Sequence, residues 1–251
     1  MILPCAARPA TARPMTSANK HPKAPWRNFY GRIHGKTLNQ AQKDYLDEDL
    51  AALAPGGVDW ETNPNRDPID MAARFHGKPV WVEIGFGGGE HLIHMAEKYP
   101  DVEIIGCEPF INGVAMLLGK IRKSGATNIS VHPGDARDLF DVLPDESIEK
   151  AFLNYPDPWP KKRHHRRRFV TDEHLDPLFR KLKPGSEFRV ATDIPDYVRQ
   201  TLEEVPKAGF QWTAEGPTDW RDPWGDWIST RYEQKALREG RTPHYLTFIR
   251  P

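Results

Sequence analysis

Val80-Trp81-Val82-Glu83-Ile84-Gly85-Phe86-Gly87-Gly88-Gly89 is the segment that indicates the class of fold most directly. Its first five residues form a short, largely apolar run, which predicts a buried β-strand. Glycine fills most of the following positions, so the backbone there can turn sharply and approach a ligand closely. Residues 91–99 then predict a helix. A strand, a glycine loop and a helix in this order are the first unit of an α/β fold.

The same alternation continues along the chain. We predict further strands over residues 102–107, 129–132, 148–153, 187–191 and 245–249, and helices over residues 110–124, 175–182 and 197–205. Strands that alternate with helices form a mostly parallel sheet covered on both faces, and ligands bind at the carboxyl ends of its strands. The sequence therefore predicts an α/β, Rossmann-like, doubly wound domain over residues 78–251.

Two segments precede this domain. Residues 26–77 show apolar positions at helical spacing between 38 and 53, followed by a Pro-Gly-Gly break, so we expect a helix and then a loop over residues 55–78. Residues 1–25 are rich in Pro, Ala, Thr and Arg, with little to bury, which predicts a disordered basic arm. A mitochondrial-type transit peptide shares this composition and stays an alternative.

The composition excludes several classes of protein. Lys and Arg number 35, and Asp and Glu also number 35, so the chain is neutral and does not suit indiscriminate coating of nucleic acid. Two cysteines allow at most one disulfide, which excludes a secreted cystine scaffold. No apolar stretch is long enough to span a bilayer, and we recognise no secretory signal. We expect a cytoplasmic protein without membrane contact.

Acidic residues at the predicted strand ends indicate the charge of the ligand. Glu83 directly precedes the glycine loop, and Glu90 stands where a dinucleotide-binding loop would have its third glycine. A carboxylate at this place repels a pyrophosphate but favours a cation such as the sulfonium of S-adenosylmethionine. Glu108 ends the second strand, where it can accept both ribose hydroxyls. Asp135 follows the third strand, where it can accept the adenine amino group.

A proline-rich loop follows the fourth strand. It reads Asn154-Tyr155-Pro156-Asp157-Pro158-Trp159-Pro160 and continues as Lys161-Lys162-Arg163-His164-His165-Arg166-Arg167-Arg168. Three prolines in five residues predict a stiff loop at the ligand-binding edge of the sheet. Asp157, between two prolines, is held near one orientation, and Trp159 offers a flat face to a purine. The cations from Lys161 onward would meet phosphates beside the target base.

These motifs resemble the bacterial tRNA (guanine-N7-)-methyltransferases. The resemblance lies in the glycine loop, in the Pro-Asp-Pro-Trp segment with its basic tail and in Ala191-Thr192-Asp193, and it covers about residues 30–250. The Pro-Asp-Pro-Trp segment is specific to the family, whereas the glycine loop alone is not. The resemblance implies an enzyme that uses S-adenosylmethionine to methylate the guanine at position 46 in the variable loop of its partner, tRNA.

The resemblance also implies roles for particular residues. Together with the glycine loop, it predicts a set of donor-binding residues: Glu83, Gly85, Glu108, Asp135 and Asp157. Asp157 matches the catalytic aspartate of the family. The positions that match substrate contacts are Lys161, Asp193, Thr230, Arg231, Tyr232 and Glu233. The family more often has Lys-Phe in place of Arg231-Tyr232, a difference that keeps a cation and an aromatic ring.

The chemistry of guanine N7 agrees with these roles. N7 carries an in-plane lone pair and attacks the methyl group without losing a proton, so catalysis needs alignment and charge stabilisation more than a base. We expect Asp157 to position and stabilise. Glu233 or Asp193 could accept the guanine N1 and N2 hydrogens and so reject adenine.

Other functions stay open at this stage. An exocyclic-amino methyltransferase has an Asn-or-Asp-Pro-Pro-aromatic segment after its fourth strand, which 154–157 matches only loosely. A non-catalytic RNA-binding module on the same fold would suit the basic cluster but leave the donor-site acids idle. His91, His94 and Glu97 share a helical face without a fourth ligand, so we expect no metal. The oligomeric state, monomer or homodimer, is left open.

Overall fold

The six strands expected from the sequence and one further strand, β6, form one sheet in the computed structural model, which describes residues 24 and 27–251. The strands are β1 (Val80–Ile84), β2 (Glu103–Cys107), β3 (Ile129–His132), β4 (Ile148–Asn154), β5 (Leu182–Thr192), β6 (Gln211–Trp212) and β7 (His244–Ile249). Apart from residue 24, the basic arm expected over residues 1–25 lies outside the described residues.

The sheet has the order β3-β2-β1-β4-β5-β7-β6. The strands from β1 to β5 pair in parallel, whereas β7 runs antiparallel to both β5 and β6. The strand order reverses between β1 and β4, and such a reversal opens a crevice at the carboxyl ends of the two strands. The predicted mostly parallel, doubly wound sheet is therefore confirmed.

Helices cover both faces of the sheet. They are α1 (Gln40–Glu48), α2 (Leu50–Leu53), α3 (Met71–Phe75), α4 (Glu90–Lys98), α5 (Ile111–Ser124), α6 (Ala136–Phe140), α7 (Asp172–Lys181), α8 (Pro195–Lys207), α9 (Thr218–Arg221) and α10 (Arg231–Arg238). Side chains alternate between the two faces of a strand. Val82 of β1 therefore packs into the core that contains residues of α6, α7 and α8, and Trp81 packs into the core that contains residues of α4 and α5.

The expected N-terminal helix is divided into α1 and α2. Asn39 begins α1 with a capping box, in which its side chain accepts from the backbone N–H of Gln42 at 2.9 Å. The helix packs on α5, where Gly119 lies against the ring of Tyr45. Because α1 rests directly on a helix of the sheet domain, a domain boundary near residue 78 stays a prediction.

A loop was expected over residues 55–78, but residues 71–75 of this range form the helix α3, so the expectation was wrong there. Asp70 caps this helix by accepting from the backbone N–H of Ala73 at 3.0 Å. Five residues are too few to show a helical period in the sequence, so the pattern did not reveal the helix. None of the helices in the described part of the chain combines the length and the apolar composition that a membrane span requires.

Candidate active site

A cavity of about 720 Å³ opens at the carboxyl edge of the sheet. Its lining includes the predicted site residues Gly85, Glu108, Asp135, Asp157 and Tyr232. The first four follow β1, β2, β3 and β4 in turn, and the carboxyl ends of parallel strands meet at one edge of a sheet. The topology thus gathers three carboxylates from separate parts of the chain around one cavity.

Glu108 holds the glycine loop in place. Its Oε2 accepts from the backbone N–H of Gly87 at 2.8 Å, and its Oε1 accepts from the backbone N–H of Phe110 at 2.9 Å. Burial raises the pKa of Glu108 to about 7, although both backbone hydrogen bonds oppose this shift. Its carboxyl group therefore titrates near neutral pH, and a ligand that donates hydrogen bonds to it would favour the charged form.

Gly113 allows α5 to touch the glycine loop. A Cβ atom on Gly113 would lie 2.2 Å from the carbonyl oxygen of Gly87, a backbone atom. Gly87 has a φ of +58°, a conformation that favours glycine. The sequence analysis missed Gly113; the available signal was a glycine inside an otherwise apolar helix.

Replacing Gly113 with alanine should displace Gly87 and the loop. Overpacking of this kind costs about 1–3 kcal/mol, so we expect calorimetric titration to show that affinity for the predicted ligand, S-adenosylmethionine, falls about tenfold. Gly119→Ala, in the same helix, meets only the ring of Tyr45 and serves as the control. Unchanged affinity of the Gly113 variant would contradict the expected displacement.

Asp135 is oriented by Arg137, a buried residue that the sequence analysis missed. Asp135 Oδ1 accepts from the backbone N–H of Arg137 at 2.9 Å and from its Nε at 3.0 Å. The same guanidinium donates to the carbonyl oxygen of Asn28 at 3.1 Å and pairs with Glu173. Burial alone would raise the pKa of Asp135, but the contacts with Arg137 lower it. Asp135 is thus a charged hydrogen-bond acceptor whose carboxylate is oriented by Arg137.

Glu83 lies behind the loop and does not line the main cavity. It is 2% exposed, and its Oε2 lies 2.9 Å from Nδ1 of His91. Its Oε1 lies 3.4 Å from Nδ2 of Asn154. Together with Gly85, Thr230 and other residues, Glu83 lines a small cavity of about 10 Å³.

The histidines considered as metal ligands have other contacts. His91 contacts Glu83, and Nε2 of His94 lies 3.0 Å from the carbonyl oxygen of Asp226. Over the described residues, no group of three or more His, Cys, Asp or Glu side chains is arranged to hold a metal ion.

Asp157 lines the cavity between two residues of unusual backbone conformation. Tyr155 has a φ of +49° and Trp159 a φ of +39°, values that residues other than glycine rarely adopt. Burial raises the pKa of Asp157, and the nearby charge of Arg32 opposes this shift. The carboxyl group of Asp157 is therefore more easily protonated than that of a free aspartate.

Residues 28–32 also line the cavity, which the sequence analysis did not predict. On one side, Nη1 of Arg27 contacts Asp138 of α6 at 2.8 Å. On the other side, the carbonyl oxygen of Ile33 accepts from the backbone N–H of Ile111 at 3.0 Å, at the start of α5. The segment 27–33 is therefore attached both to α6 and to the start of α5, the two helices that flank the site, and we call it the cavity cover.

The basic cluster, residues 161–168, divides into exposed and buried members. The exposed members are Lys161, Lys162, Arg163 and Arg166. The guanidinium of Arg167 lies 4.9 Å from the ring of Tyr30 and 4.9 Å from the ring of Trp159. Arg168 is buried, so only part of the cluster can meet phosphates directly.

The predicted substrate residues of α10 differ in accessibility. Thr230 caps the helix and accepts from the backbone N–H of Glu233 at 3.3 Å. Glu233 is buried, and its carboxylate accepts from Nε1 of Trp227 at 3.0 Å and from the hydroxyl of Tyr245. Tyr232 lines the main cavity. This helix start is thus ordered by internal contacts.

The remaining predicted substrate residues lie outside the cavity lining. Nε of Arg231 contacts Glu90 at 2.9 Å, and the buried Asp193 pairs with Arg241. Lys161 is exposed just before the 3₁₀ helix Lys162–Arg167. The structure therefore brings Gly85, Glu108, Asp135, Asp157 and Tyr232 together at the cavity. The predicted residues that do not line it are Glu83, Lys161, Asp193, Thr230, Arg231 and Glu233.

Comparison with known proteins identifies this arrangement. The model of the family described as "Putative methyltransferase" matches residues 77–246. The protein named tRNA (guanine-N(7)-)-methyltransferase from Roseobacter denitrificans is 74% identical over 226 residues, which cover 90% of this chain and 97% of the relative. The protein of the same name from Ruegeria sp. (strain TM1040) is 72% identical and covers 93% of this chain and 92% of its own length.

Proteins with lower sequence identity to this chain are similar to it as well. The protein of that name from Brucella anthropi is 47% identical over 92% of this chain and 97% of its own length. The crystal structure of the 16S rRNA methyltransferase KamB superposes with a TM-score of 0.53 at 18% identity, covering 74% of this chain and 95% of that chain, a likeness of fold alone. From the family match and the relatives together, the chain belongs to the tRNA (guanine-N7-)-methyltransferase family.

Proposed function

We propose that this chain transfers a methyl group from S-adenosylmethionine to N7 of the guanine at position 46 in the variable loop of tRNA, in the cytoplasm. The observation that carries the proposal is an acid-lined cavity at the carboxyl edge of the sheet, in a chain of this family, with an exposed basic cluster on the same loop as Asp157. Residues 78–251 would form the methyltransferase domain, and the preceding extension would supply the cavity cover.

The cavity suits S-adenosylmethionine because its carboxylates complement the net positive charge of this donor. Glu108 would accept the ribose hydroxyls with the lone pairs that its two backbone hydrogen bonds leave free. Asp135 would accept the adenine amino group in the direction set by Arg137. Glu83, held by His91, would add negative charge behind Gly85.

The residues of the loop after β4 would organise the transfer. When bound, S-adenosylmethionine supplies an electrophilic methyl group on a sulfonium. Guanine N7 needs no base, so the carboxylate of Asp157 would stabilise the positive charge that develops on the purine. Trp159 would position the base against this carboxylate.

The outer residues would bind the tRNA. Lys161 and the other exposed cations would contact phosphates, and Tyr232 would stand beside the base at the cavity. Asp193 and Glu233 already accept from Arg241 and from Trp227 and Tyr245. A guanine N1–H would therefore have to share one of these carboxylates with the donors already bound to it.

Replacing Lys161 with glutamine should raise the KM for tRNA several-fold. Affinity for a nucleic acid falls as salt rises, and loss of one phosphate contact makes the slope of log affinity against log salt concentration less steep by about 0.7–0.9. Lys123→Gln, at the far end of α5, is the control for overall charge. The measurement is KM at several salt concentrations, and an unchanged slope would remove Lys161 from the phosphate contacts.

The experiment that tests the function is transfer of labelled methyl groups to an unmodified tRNA transcript, with digestion and nucleoside identification. A transcript with adenine at position 46 is the control. We expect 7-methylguanosine at position 46 and no label in the control. Label in an exocyclic-methylated nucleoside would indicate an amino-methyltransferase, and binding of tRNA without transfer would indicate an RNA-binding module.

A further inference from the structure

Arg168 differs from the rest of the basic cluster. The sequence analysis placed it among the cations that meet phosphates, but its side chain is 1% exposed and cannot reach a nucleic acid. It lies behind the loop that carries Asp157. The question is therefore what a fully buried arginine does at this place.

The guanidinium of Arg168 joins the Asp157 loop to α8. Its Nε donates to the carbonyl oxygen of Pro158 at 2.8 Å. From α8, Gln200 accepts from Nη1 at 2.9 Å, and the carboxylate of Asp196 pairs with Nη2 at 2.8 Å. The guanidinium also lies over the ring of Tyr197, 5.2 Å from its centroid. The arginine is thus held by the helix and directed at the loop.

The loop needs such a support because of its own composition. Pro156, Pro158 and Pro160 have no backbone N–H, so the carbonyl oxygens are the main backbone groups through which the loop can be held. Trp159, next to the carbonyl that Arg168 binds, has a φ of +39°. A non-glycine residue persists in this conformation only when its surroundings enforce it.

We infer that Arg168 is a positioning residue, which holds the carbonyl oxygen of Pro158 and thereby sets the place of the Asp157 carboxylate in the cavity. The inference rests on the proposed methyl transfer to tRNA. A lysine cannot replace the arginine here, because the guanidinium donates in several fixed directions and the ammonium is a single point charge.

The test compares R168K with the wild-type enzyme in the methyl-transfer assay. A small misplacement of a reacting group can cost up to about 100-fold in rate, and we expect kcat to fall at least about tenfold. The KM for tRNA should stay within about threefold and its salt dependence should keep the same slope, since no phosphate contact is lost. R199Q is the matched control, because Arg199 pairs with the same Asp196 without touching the loop; its kcat should equal that of the wild type.

Specific outcomes would overturn the inference. Wild-type kcat in a folded R168K variant would show that the loop needs no arginine, and a raised KM with a smaller salt slope would show a phosphate contact instead. If R168K does not fold, D196N is the second test, because it removes the charge that pairs with the guanidinium of Arg168. Wild-type kcat in D196N would then overturn the inference. Failure of the wild-type chain to methylate tRNA would instead refute the proposed function.

Discussion

Replacing Asp157 with asparagine should lower kcat for methyl transfer by about 100-fold or more. Losing one preorganised electrostatic contact to a transition state reduces the rate by about this factor. Asparagine keeps the shape of the side chain but has no charge to stabilise the purine cation. Desolvation at the cavity raises the pKa of Asp157, and charges interact more strongly where water is partly excluded.

The pH profile of the same reaction gives a second measurement. Desolvation raises the pKa of Asp157, so the carboxylate is lost at a higher pH than in a free aspartate. We therefore expect kcat of the wild type to fall as the pH falls through this raised pKa, and the asparagine variant to lack that step. Asp101→Asn, an exposed change before β2, is the control. Full turnover of Asp157→Asn with both ligands bound would disprove the assigned role.

Replacing Glu108 with glutamine should weaken binding of S-adenosylmethionine between about tenfold and about 100-fold, since hydrogen bonds to a charged group contribute about 1.5–3 kcal/mol. The carboxylate uses one oxygen for Gly87 and the other for Phe110. A glutamine has a single oxygen, so its NH₂ group would face one of these N–H donors. The variant therefore loses both the ribose acceptor and the anchor of the loop.

Calorimetric titration of the donor between pH 6 and pH 8 measures this effect. Because the pKa of Glu108 is raised to about 7, the wild type should bind more tightly as the pH rises and the carboxyl group ionises. The glutamine variant should bind with little pH dependence. Glu103→Gln, at the other end of β2, can still accept from Ser130 and is the matched control. A glutamine variant with wild-type affinity and pH dependence would exclude Glu108 from the donor site.

Local patterns predicted most of the fold. The apolar run of β1 and the helical spacing of α5 indicate burial within a few residues. The predicted end of α5 at residue 124 agrees with the structure, in which Gly125 follows the helix with a φ of +72°. The helices α3, α6 and α9 and the two-residue strand β6 were missed, because elements this short show no period. The eight-residue helix α10 was missed as well.

Local patterns were sufficient to predict the main strands and helices, the glycine loop and the acids at the ends of the strands. Ligands bind at the carboxyl ends of parallel strands, so the order of these elements also predicted where the cavity lies. Local patterns did not predict that Glu83 contacts His91, that residues 28–32 line the cavity or that Arg168 contacts the Asp157 loop, because these contacts depend on the tertiary fold. The direction in which a side chain is buried depends on which distant element packs against it, and no local pattern records that choice.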